Sequence, residues 1–171
     1  LMVVDENHNP LPAGAVGELA VRGKVRMLGY YKAPELTEKT FDNNGWYYTG
    51  DQATMDEEGY VRIVGRIKDL IIRGGQNIYP AEIEKVLVTH PKIRDAAVVG
   101  IPDPIAGEKV LAYLIPESNP YPAEIDVLNF CRENLAPYKV PSNAIFVDSF
   151  PLNASGKVLK RELREQAVIS A

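Results

Sequence analysis

The sequence predicts an α+β chain in two units: a small β-rich first part, then a compact second part with helices packed on a small sheet. Two observations carry this. Residues 17–66 hold short alternating apolar runs between glycine-marked turns, whereas from Lys68 onward strand and helix periodicities alternate. The character changes over residues 66–69, so the expected units are 1–66 and 67–171.

Residues 2–4 read as a strand already in progress at Leu1, which suggests a piece of a longer protein. The turn-rich DENHNPLPAG (5–14) follows, then a strand at 18–22, a short helical turn at 37–41 after Pro34, and a strand at 60–65. In the second unit, 70–73 and 76–79 form a hairpin around Gly74 and Gly75. A helix runs from Pro80, a tolerated first position, to about residue 89, with Ile83, Val86 and Leu87 at core spacing. Strands at 93–101 and 109–116, a helix over 122–134, a strand at 144–147 and a final helix at 159–167 complete the unit. There are no internal repeats and no low-complexity tract.

The composition narrows the function. Of 171 residues, 19 are Lys or Arg and 23 are Asp or Glu, a net charge of −4 that supplies no overall attraction to nucleic acid. A hydrophobic fraction of 46% supports a folded core. With Cys131 as its single cysteine, the sequence can form neither an intrachain disulfide nor a cysteine-cluster metal site. A reducing, cytoplasmic setting is the default expectation. No apolar run approaches the roughly 20 residues of a membrane-spanning helix. His8, in a polar turn, and His90, at a helix end where it can meet the last carbonyls, are given no catalytic role. Cys131 reads as a core residue.

Four local constellations could carry chemistry. Tyr48, Thr49, Gly50 and Asp51 read as a glycine turn ending in a carboxylate that can accept hydrogen bonds from a diol, although Asp is common in turns for conformational reasons. Arg66 and Lys68, in GRIKD, could grip a phosphate or sugar oxygen, or simply be solvated. Arg73, Gly74 and Gly75 would let a slender ligand approach, or form a plain hairpin turn. PLNASGK (151–157) resembles a small phosphate cradle before a helix, but it lacks the first glycine of a Walker A loop, and Val158 stands where that loop needs Ser or Thr.

Taken in order, GELAVRG, GYYKAPELTEKTF, GWYYTGD, GRIKDLIIRGGQNIYPAEIE, LAPYKVP and PLNASGK resemble the C-terminal part of the adenylate-forming enzymes. This superfamily comprises acyl-CoA synthetases, peptide-synthetase adenylation domains and beetle luciferases. The resemblance covers nearly the whole chain. RGGQNIYPAEIE and PLNASGKVLKREL are most similar to fatty or aryl acid CoA ligases, since peptide-synthetase domains usually carry one glycine followed by arginine in the hairpin.

The resemblance implies an α+β architecture in which 1–66 is the β-rich end of a large AMP-binding domain and 67–171 is a mobile lid. It implies a two-step reaction: a carboxylic acid and ATP give an acyl-adenylate and pyrophosphate, then the CoA thiol displaces AMP. Asp51 would bind the ribose hydroxyls and Arg66 the ribose or phosphate, while Lys157 would serve the first step catalytically. Lys68 would be the hinge, and Gly74 with Gly75 would leave room for the pantetheine arm of CoA. ATP/AMP, CoA and magnesium are the implied cofactors, with the magnesium site mostly upstream of Leu1. The Gly-rich phosphate loop and the aromatic-Gly-x-Thr-Glu segment are not in this sequence. The chain by itself is therefore expected to be inactive as a ligase. A lysine acyltransferase or deacylase acting on Lys157 is a further implied partner. The alternatives are a peptide-synthetase adenylation domain and a standalone binding module of the same fold.

Overall fold

In the computed structural model, which describes residues 1–24 and 26–169, the chain divides into two compact units, Leu1–Lys68 and Asp69–Ala171. The first is a four-stranded antiparallel sheet in chain order: β1 (Met2–Val4), β2 (Gly17–Val21), β3 (Tyr47–Met55) and β4 (Val61–Arg66). A helix, α1 (Pro34–Thr40), interrupts it between β2 and β3, with proline in the first turn where its missing N–H costs nothing.

Residues 48–51, expected to be a turn, lie instead within β3, the longest strand of this sheet. Tyr47, Tyr48 and Thr49 favour extended backbone and outweigh the glycine. Gly50 sits at φ +71°, beside a register shift in β2 between Glu18 and Ala20. Among the described residues, the buried apolar ones of this unit are Val3, Val4, Ala20 and Ala53.

The chain uses one five-residue loop four times. Asp5, Asp42 and Asp56 each accept, through Oδ1, hydrogen bonds from the amides two and four residues ahead, at 2.8–3.1 Å. In each loop the first residue's own N–H donates to the carbonyl of the fifth, and the fourth, His8, Gly45 or Gly59, has positive φ. The fourth copy begins at Asn153 and ends at Lys157.

The second unit holds β5 (Ile71–Arg73), β6 (Gln76–Ile78), α2 (Pro80–Leu87), β7 (Ile93–Asp103), β8 (Gly107–Pro116), α3 (Glu124–Asn134), β9 (Asn143–Phe146) and α4 (Lys160–Ile169). β7 and β8 form one long antiparallel hairpin, with β7 at the sheet edge. The other side of β8 is shared: β5 pairs with its start at Arg73↔Gly107, and β9 runs parallel to it from Leu111 onward.

Strand alternation sorts the apolar residues to two faces. Ala96, Val98, Val110, Ala112 and Leu114 join Ile83 and Leu87 of α2 and Val127, Leu128 and Cys131 of α3. Ala97, Val99, Ile101, Leu111, Tyr113 and Ile115 join Leu163 and Ala167 of α4. Covered on both sides, β7 and β8 therefore read as nearly continuous apolar runs. Each fully buried Ile or Leu contributes about 1.5–3 kcal/mol from burial.

Polar ties fix the helices to this sheet. Glu84 Oε1 accepts from the Val98 amide at 2.7 Å and from Lys160 Nζ at 2.6 Å, passing across the edge of β7. Arg164 Nη2 lies 3.2 Å from Asp69 Oδ1, and the Tyr113 hydroxyl donates to the Leu163 carbonyl at 2.9 Å. The His90 ring does not meet the last helix carbonyls; its Nδ1 accepts from the Lys92 amide and the ring stands edge-on to Phe130. Among the described residues no helix is long and apolar enough to cross a membrane.

Candidate functional site

In the first unit Asp51 and Arg66 are register partners across β3 and β4. Arg66 Nε donates to Asp51 Oδ1 at 2.8 Å. The pair is partly open to solvent, with the side chains 49% (Arg66) and 27% (Asp51) exposed. Among the described residues Asp51 Oδ2 and the guanidinium Nη groups take part in no other hydrogen bond, a combination that suits a hydroxyl donor beside an anionic oxygen.

The local backbone explains the placement. The Gly50 amide donates to Glu18 Oε1 at 2.8 Å. Thr49 Oγ1 donates to the Leu19 carbonyl at 2.8 Å and accepts from the Asp51 amide at 3.1 Å. Gly50, with its positive φ, immediately precedes Asp51 within β3. Close by in sequence, the phenol of Tyr47 titrates higher than usual, chiefly through its hydrogen bond with Tyr30 and then through burial. Glu18 and Thr49 carry no sequence signal of this role, because their contacts depend on the β2–β3 register.

Lys68 is exposed and is the last residue of the first unit, within a short 3-10 turn, Ile67–Asp69.

In the second unit Gly74 (φ +56°) and Gly75 (φ +77°) are the two central residues of the β5–β6 turn, both left-handed as a type I′ turn requires. A methyl group at either position would meet nothing within 4 Å. Glycine is needed here for its dihedral angles, and the hairpin tip is open on the side the missing side chains would occupy. The neighbouring Arg73 is committed elsewhere: its Nη1 donates to the carbonyls of Tyr138 and Val140, both at 3.2 Å. It pins the 137–140 segment where β5 and β9 meet on β8. A cleft of about 500 Å³ beside it is lined by Arg73, Arg132, Pro137, Val140, Pro141 and Ser142.

Lys157 closes the fourth five-residue loop. It is exposed, and among the described residues its ammonium takes part in no ion pair or hydrogen bond. The main chain around it is fixed by a bridge between Leu152 and Val158 and by the Leu159 amide donating to the Pro151 carbonyl at 2.8 Å. Within each unit the expected residues thus stand as follows: Asp51 is joined to Arg66 in the first, while in the second Gly74 with Gly75 and Lys157 occupy separate loops. No cluster of three His, Cys, Asp or Glu side chains among the described residues is placed to hold a metal.

This mixed α+β unit, with its lysine loop before α4, matches the C-terminal domain of AMP-binding enzymes. Residues 82–157 match the AMP-binding enzyme C-terminal domain family, and by sequence and fold the chain belongs with the adenylate-forming enzymes. It is 44% identical over 165 residues to a long-chain-fatty-acid–CoA ligase of Escherichia coli O6:H1, covering 96% of this chain and 29% of that protein. It is 45% identical over 150 residues to the human mitochondrial medium-chain acyl-CoA ligase ACSF2, covering 88% and 24%. The chain thus spans between about a quarter and a third of the length of these relatives.

Among solved structures, ATP-bound MatB from Rhodopseudomonas palustris superposes with a TM-score of 0.90 at 40% identity, over 96% of this chain and 33% of that one. Apo MatB, over the same shares, gives 0.67.

Proposed function

We propose that this chain supplies the lid and the adjoining nucleotide contacts of an ATP-dependent acid–CoA ligase. In the first step a carboxylate oxygen attacks the α-phosphorus of ATP and the bond to pyrophosphate breaks. In the second the CoA sulfur attacks the acyl carbon and AMP leaves, giving the thioester. The observation that carries this reading is Lys157, whose exposed ammonium has no partner among the described residues, on a fixed loop at the end of the matched domain.

Asp51 Oδ2 would accept from the ribose hydroxyls, and Arg66, oriented by Asp51, would contact ribose or phosphate oxygen. Lys157 would sit between the substrate carboxylate and the α-phosphate, where a fixed ammonium stabilises the developing charge by about 3 to 4 kcal/mol. Gly74 and Gly75, open at the hairpin tip, would border the path of the CoA thiol.

Lys68 at the unit boundary would be the hinge that brings Lys157 and the hairpin to the adenylate in turn, a gating step of the kind that often limits turnover. Support comes from MatB: its ATP-bound structure matches this chain with a TM-score of 0.90 and its apo structure with 0.67. The same exposure leaves Lys157 open to acylation, which intact-mass analysis of the native protein reads out.

The test is a pair of half-reactions in the longer enzyme that carries this chain. Lys157→Ala should abolish most acid-dependent exchange of pyrophosphate into ATP while sparing thioester formation from supplied acyl-adenylate. Equal loss in both would overturn the assigned role. Residues 1–171 alone should release no pyrophosphate from ATP with a panel of acids, and release above background would contradict their standing as only part of the site.

A further inference from the structure

We infer that Asn153 is the positioning residue for Lys157. Both polar groups of the Lys157 main chain are held by this one residue: the Lys157 N–H donates to Asn153 Oδ1 at 2.9 Å, and the Lys157 carbonyl accepts from the Asn153 N–H at 2.9 Å. The same Oδ1 accepts from the Ser155 amide at 2.9 Å and from the Ser155 hydroxyl at 2.8 Å. The Gly156 amide donates to the Asn153 carbonyl at 2.9 Å, and Gly156 takes φ +79°. No other side chain holds the Lys157 backbone among the described residues.

The chain itself shows what the device does. Loops 5–9, 42–46 and 56–60 have the same bonds and the same positive φ at the fourth residue, and an Asp at the first. At their fifth positions stand Asn9, Trp46 and Tyr60, so the loop accepts side chains of different size and chemistry there while fixing their point of departure. In the fourth copy that position carries the ammonium. A long, flexible lysine gains precision only from a fixed Cα, and within the frame set by the Leu152–Val158 bridge the Asn153 side chain supplies that last restraint. Deleting the acceptor removes its bonds to Ser155 and to the Lys157 amide, and a displacement on the order of 1 Å at a reacting group costs about a hundredfold in rate.

This inference rests on the role given to Lys157 above, and the experiment separates the two. In the longer enzyme, Asn153→Ala, Asn153→Asp and Lys157→Ala are compared in both half-reactions, alongside thermal unfolding. Asn153→Ala should slow adenylation about a hundredfold through kcat, leaving the KM for ATP and thioester formation nearly unchanged. Asn153→Asp, which restores an acceptor that three other loops already use, should recover at least a tenth of the original rate. Lys157→Ala crippled with Asn153→Ala silent, or Asn153→Asp no better than Asn153→Ala in a folded protein, overturns the positioning role alone. If Lys157→Ala is itself silent, the reading of the lysine and this inference fall together. Because Asn153 is exposed, the fold should survive every variant, and unchanged thermal midpoints check this.

Discussion

The thiol of Cys131 is fully enclosed between α3 and the sheet, and burial pushes it up to about 11. Below about pH 9 both folded and unfolded chains keep this proton. Between about 9 and 11 the unfolded chain ionises while the folded one holds it, so stability falls as pH rises, by about 1.4 kcal/mol per unit from this group. Lys139, raised chiefly by its hydrogen bond to Glu82, loses its contribution in the same direction at higher pH. Urea midpoints at pH 8 and pH 10.5 should therefore diverge less in Cys131→Ala than in the parent, and an equal drop in both would exclude the thiol as the source. The residue types were legible in the sequence, where Cys131 already reads as core and Asp51, Arg66 and Lys157 as candidates. Their partners were not. The Arg66–Asp51 contact needs the β3–β4 register, and nothing in the string PLNASGK marks Asn153 as the residue that grips both ends of the lysine backbone.

At the scale of elements, the β5–β6 hairpin was legible because two adjacent glycines between short β-type runs have few other uses. The open space around its tip makes a clean test. Since a methyl group at Gly75 meets nothing, Gly75→Ala should cost only the left-handed backbone penalty of about 1 kcal/mol, and Gly74→Asn should cost less. Urea unfolding reads both, and a loss several times larger would point to crowding at the tip. β3 was hidden because Gly50 and Asp51 are turn-type residues in the middle of a strand. Aromatic and β-branched neighbours, together with a bulge that absorbs the positive φ, override the local signal. The recurring five-residue loop was hidden for another reason: its copies share only an Asp or Asn at the first position and a residue tolerant of positive φ at the fourth, His in one case and Gly in three.

For the whole molecule, the two units differ in what they bury. The second has an apolar cluster on each face of its sheet, whereas the first encloses chiefly Val3, Val4, Ala20 and Ala53. Residues 69–171, which keep the Asp69–Arg164 pair, should unfold cooperatively when produced alone, and residues 1–68 should not. Differential scanning calorimetry of the two pieces decides this; a sharp transition in 1–68 would refute it. The sequence changes character at 66–69, and the structure's units meet between Lys68 and Asp69, while the pairing of β8 with both β5 and β9 was hidden, since parallel and long-range partners leave no local trace.

The crossing of β7 by Glu84 and Lys160 bears on how the protein behaves in a crowd. β7 is an eleven-residue terminal strand of mostly apolar composition, the kind of template on which foreign strands add and aggregates grow. A chain arriving there finds the Val98 amide already occupied and an ion pair lying across its path. The tie that fastens two helices to the sheet is also its guard against self-association.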